Sequence, residues 1–386
     1  ASIMKLVLNK SSRRARVLSG HPWVFANELQ AVPDPEWNGK ALPLEDSRGR
    51  FLGMGIVNSN SQIAWRRYST KQIAWDKAFW RDALVKAEQG REEEPFRRVV
   101  WSEADQLPGL VVDQFDDVLV VQALTMAVDV ALPEIVDLLQ ELLQPREIVI
   151  RNDAPSRKLE GLDMVRRTIS GSPLEPFWAE IYNVWYFLDL ENSQKTGFYL
   201  DQRQEHFKVA TMAPDWRVLD AFCNQGAFAL NCAIAGARDV VAIDSSAEAV
   251  ELGKKNADKN KVQVDFRCEN VFDYFTENRD ERFDLIVLDP PSFAPNRRSL
   301  PGARKGYKEL HVRAFNALNP GGILATYCCS HHVTDSLFGE IIEEAASDTR
   351  KSVQLMYRSG QPIDHPVMLN FPESEYLKGY ILRVQG

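Results

Sequence analysis

Residues 325–333, Ala-Thr-Tyr-Cys-Cys-Ser-His-His-Val, crowd two thiols and two imidazoles into one short stretch. Cys328, Cys329, His331 and His332 could form a metal site, a redox pair or a nucleophile, or they could simply pack. Structural zinc motifs usually separate paired cysteines by about two to four residues. Here the pair is vicinal, and Cys223, Cys232 and Cys268 stand singly. No second pair completes four ligands, so no metal is expected. The stretch "GGILATYCC" reads as a strand, in which successive side chains point to opposite faces. Only one of the two thiols is then expected to face a common pocket, and parity does not say which. The two histidines read as loop residues.

The elements that would position such a thiol begin near Trp216. "RVLDAF", "DVVAID", "VDFRC", "FDLIVLD" and "GGILATYCC" are short apolar runs that alternate with helical patterns such as "GAFALNCAIAGA" and "SAEAVELGKKNADKN". This alternation implies a doubly wound, mostly parallel sheet. Ligands of such sheets bind beyond the carboxyl ends of the strands. Four strands end in suitable side chains: Asp220, followed by the turn Phe222-Cys223-Asn224-Gln225-Gly226; Asp244 with Ser245; Glu269 with Asn270; and Asp289 with Pro290. An acid after the second strand is placed to accept hydrogen bonds from a ribose diol. The first turn keeps a single glycine, too few for the close backbone approach of a pyrophosphate site. A nucleoside ligand without phosphate, such as S-adenosylmethionine, fits better. Asp289-Pro290-Pro291 forms a stiff turn without backbone donors. Similar loops that methylate exocyclic amino groups carry an aromatic residue directly after the second proline; here Ser292 takes that place and Phe293 follows it.

The whole chain sets the context. Its 386 residues imply two or three domains. No apolar run has signal-peptide or membrane-span character, and five sparse cysteines suit a reducing cytoplasm. The net charge of −8 argues against a simple nucleic-acid binder, yet residues 1–75 hold eleven Lys/Arg against five acids. That local excess suggests contact with phosphates. Residues 1–75 read as a small β-barrel-like module, 76–182 as an α+β domain, and 183–386 as the α/β domain with a lead-in hairpin. "NRRSLPGARKGYK" (296–308) reads as a mobile basic loop beside the pocket, with Arg297, Arg298, Arg304, Lys305 and Lys308 available to an RNA backbone.

With "HPWVFANEL", "EADQLPGLVVDQF", "QKTGFYLDQR", "VLDAFCNQGAFAL", "LDPPSF", "YCCS", "DHPV" and "YLKGY", the chain resembles a known family over essentially its whole length. These are class I S-adenosylmethionine-dependent large-subunit rRNA methyltransferases that carry an N-terminal PUA domain and make 5-methylcytosine. The resemblance implies a Rossmann-like methyltransferase domain preceded by PUA and α+β domains. It implies S-adenosylmethionine held by Gln202, Arg203, the turn Phe222–Gly226, Asp244, Asn270 and Asp289; Asp220, Ser245, Glu269 and Pro290, at the same strand ends, are expected to line the same pocket. Position 270 is usually Asp in class I enzymes, so the neutral Asn270 is a departure that Glu269 could offset. The family pattern of aromatic, any residue, Cys, Ser selects Cys329 as the nucleophile and leaves Cys328 to packing. Attack on C6 needs an acid near N3 or the amino group, for which Asp289 is the candidate. Cys223 reads as structural, and its place in the cofactor turn makes it the alternative thiol. The resemblance implies 23S rRNA as partner, without membrane; a homodimer is among the assemblies the chain could form. Two other functions compete: purine methylation, which needs no nucleophile, and a non-catalytic role in RNA binding or ribosome assembly.

Overall fold

Short apolar runs punctuated by glycine build the first sheet. In the computed structural model, which describes residues 4–10, 14–193 and 198–385, its strands are β1 (Leu6–Val7), β2 (Trp23–Phe25), β3 (Ala41–Glu45), β4 (Phe51–Val57) and β5 (Ile63–Ser69). They lie in the order β1-β3-β4-β5-β2 around buried Leu6, Val24, Leu42, Leu44 and Trp65. The first four residues of "QKTGFYLDQR" lie outside the described residues.

Helix α1 (Lys77–Gln89) follows, capped by the Asp76 carboxylate on the Phe79 N–H and burying Phe79, Trp80, Ala83, Leu84 and Ala87. A second sheet comprises β6 (Phe96–Trp101), β7 (Leu110–Phe115), β8 (Val118–Ala123), β9 (Glu147–Asn152) and β10 (Val165–Thr168), in reverse sequence order. Helix α2 (Met126–Leu143) makes the crossover between parallel β8 and β9. Buried charges around this sheet are paired, as they must be in an apolar surround: Arg91 with Asp105 at 2.7 Å, Arg98 with Asp113 at 2.8 Å and Arg66 with Glu103 at 3.6 Å. The acids of "EADQLPGLVVDQF" are therefore engaged in ion pairs.

The chain divides into two compact units. One holds residues 1–177, 188–200 and 363–374; the other holds 178–187, 201–362 and 375–386. The first two sheets merge because Ile56 and Tyr68 share one buried cluster with Phe79, Trp80 and Val100. "DHPV" also belongs to this unit, since the Asp364 carboxylate accepts the Arg98 N–H at 2.9 Å and meets His365 Nδ1 at 3.0 Å.

The second unit opens with the hairpin β11 (Phe177–Ile181) and β12 (Val184–Leu188), then α3 (Arg203–Ala210). Its main sheet is built from β13 (Arg217–Ala221), β14 (Asp239–Asp244), β15 (Asp265–Cys268), β16 (Phe283–Leu288), β17 (Leu318–Cys328), β18 (Ser352–Gly360) and β19 (Lys378–Gln385). The order is β15-β14-β13-β16-β17-β19-β18, with β19 antiparallel to both neighbours and the other pairings parallel. Helices α4 (Ala227–Ile234), α5 (Ala247–Asn260), α6 (Val271–Glu277), α7 (Leu300–Ala317) and α8 (Asp335–Asp348) connect the strands. The strand order reverses at β13, the point where such sheets open a crevice at their carboxyl ends.

The expected mobile loop at 296–308 is instead a capped turn and the start of α7. Pro301 sits in the first helical turn, where its missing N–H costs nothing. Ala303, Tyr307, Leu310 and Ala314 recur at helical spacing and are buried, which outweighs about 1 kcal/mol for each of Gly302 and Gly306. Arg304 pairs with Glu344 at 2.6 Å and Glu340 at 3.3 Å, and Lys308 with Asp348 at 2.9 Å, all on α8. No helix among the described residues is long and apolar enough to cross a membrane.

Candidate active site

The carboxyl ends of β13, β14, β16 and β17 bring the polar residues of the crevice together. Asp220, inside β13, is buried. Its Oδ2 accepts the Ala229 N–H at 3.0 Å, while Oδ1 has no hydrogen-bond partner. Burial pushes this carboxyl well above its ordinary range, and the charges of Asp289 and Asp244 add to the effect against the Ala229 N–H.

The turn that follows is tightly wound, with φ of 61° at Phe222, 49° at Asn224 and 87° at Gly226. Only glycine takes the last without strain, and an added Cβ would lie 2.7 Å from the Phe266 ring. Gly226→Ala is therefore expected to cost about 2 kcal/mol, read as a lowered melting temperature in thermal denaturation; an unchanged value would show that the turn relaxes.

Asp244, last in β14, staples this turn. Its Oδ2 accepts the Asn224 N–H at 2.8 Å and its Oδ1 the Ser246 N–H at 2.9 Å. A carboxylate has about four acceptor sites, so capacity remains for a diol. Ser245 is exposed, and its carbonyl accepts from the Cys268 thiol at 3.5 Å. Asn270 caps α6, its Oδ1 accepting the Asp273 N–H at 3.1 Å. The capping bond uses one lone pair of the amide oxygen and leaves the other for a ligand. Glu269 keeps a buried Oε2 without a partner.

Gln202 and Arg203 are both buried just before and at the start of α3. Gln202 Nε2 donates to Asp289 Oδ2 at 3.2 Å, and Gln202 Oε1 has no partner. Unpaired buried oxygens on Asp220, Gln202 and Glu269 are costly unless a ligand supplies donors, and a nucleoside with an amino-acid tail supplies them.

Asp289 and Cys329 lie at adjacent strand ends because β16 and β17 are parallel neighbours with Leu288 beside Thr326. Asp289 leaves one strand as Cys328 ends the other. Cys329 is partly exposed, its Sγ 3.9 Å from the Pro290 carbonyl. Cys328 is fully buried, its Sγ 3.5 Å from the Tyr307 hydroxyl. The two thiols therefore occupy different surroundings. Ser330 Oγ donates to the Ala294 carbonyl at 2.8 Å and ties the cysteine turn to the Asp-Pro-Pro loop. Tyr327 lies over Gly379, where a Cβ would sit 2.7 Å from its ring, and its hydroxyl donates to Glu205 at 2.9 Å. Phe293 is half-buried and packs against Tyr307, ring centroids 4.7 Å apart.

Burial, with Asp220 and Asp244, pushes the Cys223 thiol well above its ordinary range, which keeps it protonated. Gln225 lies in the same turn, half-buried. The rings of His331 and His332 lie 4.0 Å apart, and no group of three metal-ligating side chains occurs among the described residues. Arg297, Arg298 and Lys305 are exposed. Lys378 escaped the residue-by-residue reading; a lysine inside the apolar run "YLKGYILRV" was its signal.

Two family models match this chain: a PUA-like domain over residues 7–70 and an S-adenosylmethionine-dependent methyltransferase over 154–372. The chain is 37% identical to ribosomal RNA large subunit methyltransferase I of Tolumonas auensis, covering 97% of this chain and 98% of that one. The protein of the same name from Cronobacter sakazakii is 34% identical, with 99% of each chain covered. Among solved structures, SMU.776 complexed with SAH superposes with a TM-score of 0.85 at 20% identity, covering 99% of this chain and 100% of that one, which supports the fold.

Proposed function

Because the chain belongs to the S-adenosylmethionine-dependent methyltransferase family that includes ribosomal RNA large subunit methyltransferase I, we propose that it methylates C5 of a cytosine in large-subunit (23S) rRNA through a covalent cysteine adduct. The observation that carries this reading is a partly exposed thiol, Cys329, delivered beside the Asp289-Pro290 turn at adjacent strand ends. S-adenosylmethionine, when bound, supplies an electrophilic methyl group. Asp244, Glu269, Asp220, Gln202 and the turn Phe222–Gly226 are the residues that would hold it.

C5 of cytosine is a weak nucleophile. The Cys329 thiolate adds to C6 and forms the S–C6 bond, which makes C5 electron-rich enough for alkylation. Asp289 faces N3 and the amino group and stabilises the charge that develops as C6 is attacked. Loss of the C5 proton and departure of the thiolate then restore the aromatic base. This is nucleophilic catalysis that splits one difficult step into easier ones. The base must leave its stack to reach a thiol at the strand ends. A free catalytic thiol also suits a reducing, cytoplasmic location.

Methylating a 23S rRNA transcript with labelled S-adenosylmethionine and digesting it to nucleosides tests the chemistry. Label in 5-methylcytidine is the expected result; label in a methylated purine would overturn it.

RNA contact divides the basic residues. Arg304 and Lys308 are held by α8 acids, whereas Arg297, Arg298 and Lys305 make no ion pair among the described residues. Replacing Arg297 and Arg298 together by alanine is expected to weaken RNA binding and to reduce the salt slope by about two. Arg304→Ala should leave that slope nearly unchanged. Titration of RNA binding against salt concentration checks both.

A further inference from the structure

Lys378 opens β19 directly opposite Cys328, so it lies beside the end of the strand that delivers Cys329. It is 4% exposed, nearly complete burial for a lysine. Its ammonium donates to the Ser330 carbonyl and, at 3.1 Å, to the Tyr376 carbonyl. No carboxylate lies within ion-pair distance of it among the described residues. A buried cation held only by carbonyl dipoles is expensive to maintain.

The ionisable groups around it are few. Cys328 and Cys329 come from the end of β17, Glu375 from the approach to β19, and Asp335 from α8. Tyr307 faces the thiols from α7, and His331 and His332 follow them in the chain. Asp335 is already engaged by the Tyr380 hydroxyl at 2.7 Å and by Arg358 at 3.4 Å. Cys328 lies in the apolar core against the Tyr307 hydroxyl. Cys329 is the one of these two thiols that reaches the crevice. Burial lowers the Lys378 proton affinity, and Cys328, Cys329, Glu375 and Asp335 act in the opposite direction. A cation held on the Ser330 carbonyl, one residue from Cys329, favours thiolate over thiol at that residue.

We propose that Lys378 is the positioning residue of Cys329: it fixes the Ser330 carbonyl, and so the turn that carries the thiol, and provides the cation that stabilises the thiolate once its proton has left to solvent. The inference rests on the reading of Cys329 as the nucleophile. The two can nevertheless fail separately.

The test is alkylation of Cys329 by iodoacetamide in the full-length protein, followed by peptide mass spectrometry between about pH 5 and 10 and compared with the ordinary thiol midpoint of about 8.5. The wild-type midpoint is expected at least one unit below that value. Lys378→Met should raise it by about one unit, slowing alkylation at pH 7 about tenfold. Lys378→Arg, which keeps the charge, should stay within a few-fold of wild type. Retained S-adenosylmethionine binding certifies the fold of each variant. A wild-type midpoint at the ordinary value overturns the proposal even if Lys378→Met does not fold; so does a folded Lys378→Met with the wild-type midpoint. Methyl transfer that survives Cys329→Ala overturns the nucleophile instead and leaves the midpoint result standing.

Discussion

Cys329→Ala is expected to lower methyl transfer to rRNA by a factor on the order of 10⁴ or more, the scale seen when a covalent enzyme loses its nucleophile. Affinity for S-adenosylmethionine should hold, because the Cys329 side chain is not itself among the groups assigned to that ligand. Cys329 Sγ lies 3.9 Å from the Pro290 carbonyl, and the residue is only partly buried, so truncating it opens no closed core cavity. The fold should survive for the same reason. Cys328→Ala has the opposite profile. Cys328 is fully buried in the core around Tyr307 and Phe338, so its loss should reduce stability by about 1 kcal/mol and leave the chemistry in place. Single-turnover methylation and calorimetric titration of each variant separate the two thiols. If Cys329→Ala transfers methyl at the wild-type rate, the covalent route is wrong and a purine acceptor becomes the better reading.

Asp289→Asn carries the second large effect. The substitution preserves size and an acceptor for Gln202 Nε2, which donates to Asp289 Oδ2 at 3.2 Å. What it removes is the negative charge at the mouth of β16. Stabilising charge at N3 while C6 is attacked needs that carboxylate, and kcat is expected to fall on the order of 10³-fold. KM for S-adenosylmethionine should move far less. Methylation of an exocyclic amino group works through loops with either Asp or Asn before the two prolines. A variant that retains kcat would therefore favour amino-group transfer over C5 transfer.

Much of the catalytic unit was legible because its signals are local. The alternation of apolar strands with helical patterns from Trp216 onward marks β13 to β17, and the acids of the crevice sit where those strands end. Vicinal thiols in a strand had to separate, and the structure shows Cys328 in the core and Cys329 at the crevice. The losses were of non-local origin. Glycines at 302 and 306 and a proline at 301 suggested a loop, but burial of Tyr307 and Leu310 and the α8 acids facing Arg304 and Lys308 make the segment a helix. That Asn270 also caps α6 through the Asp273 N–H was not announced by its place after β15. The return of 363–374 to the N-terminal unit depends on Asp364 accepting from Arg98, 266 positions away, which no local pattern announces. The apolar run around Lys378 marked it as buried, but its place opposite Cys328 follows only from the register of β17 with β19.

The central claim is a bond between Cys329 and a cytosine. It is tested most directly with a 23S rRNA transcript in which 5-fluorocytidine replaces cytidine, incubated with the protein and S-adenosylmethionine. Fluorine at C5 cannot leave as the proton does, so the thiol cannot be expelled and the adduct persists. The account predicts a covalent protein–RNA complex that survives denaturation, carries the transferred methyl group, maps by mass spectrometry to the Cys329 peptide and is absent with Cys329→Ala. Methyl transfer to this RNA without any covalent complex, or a complex that maps to another residue, would contradict it.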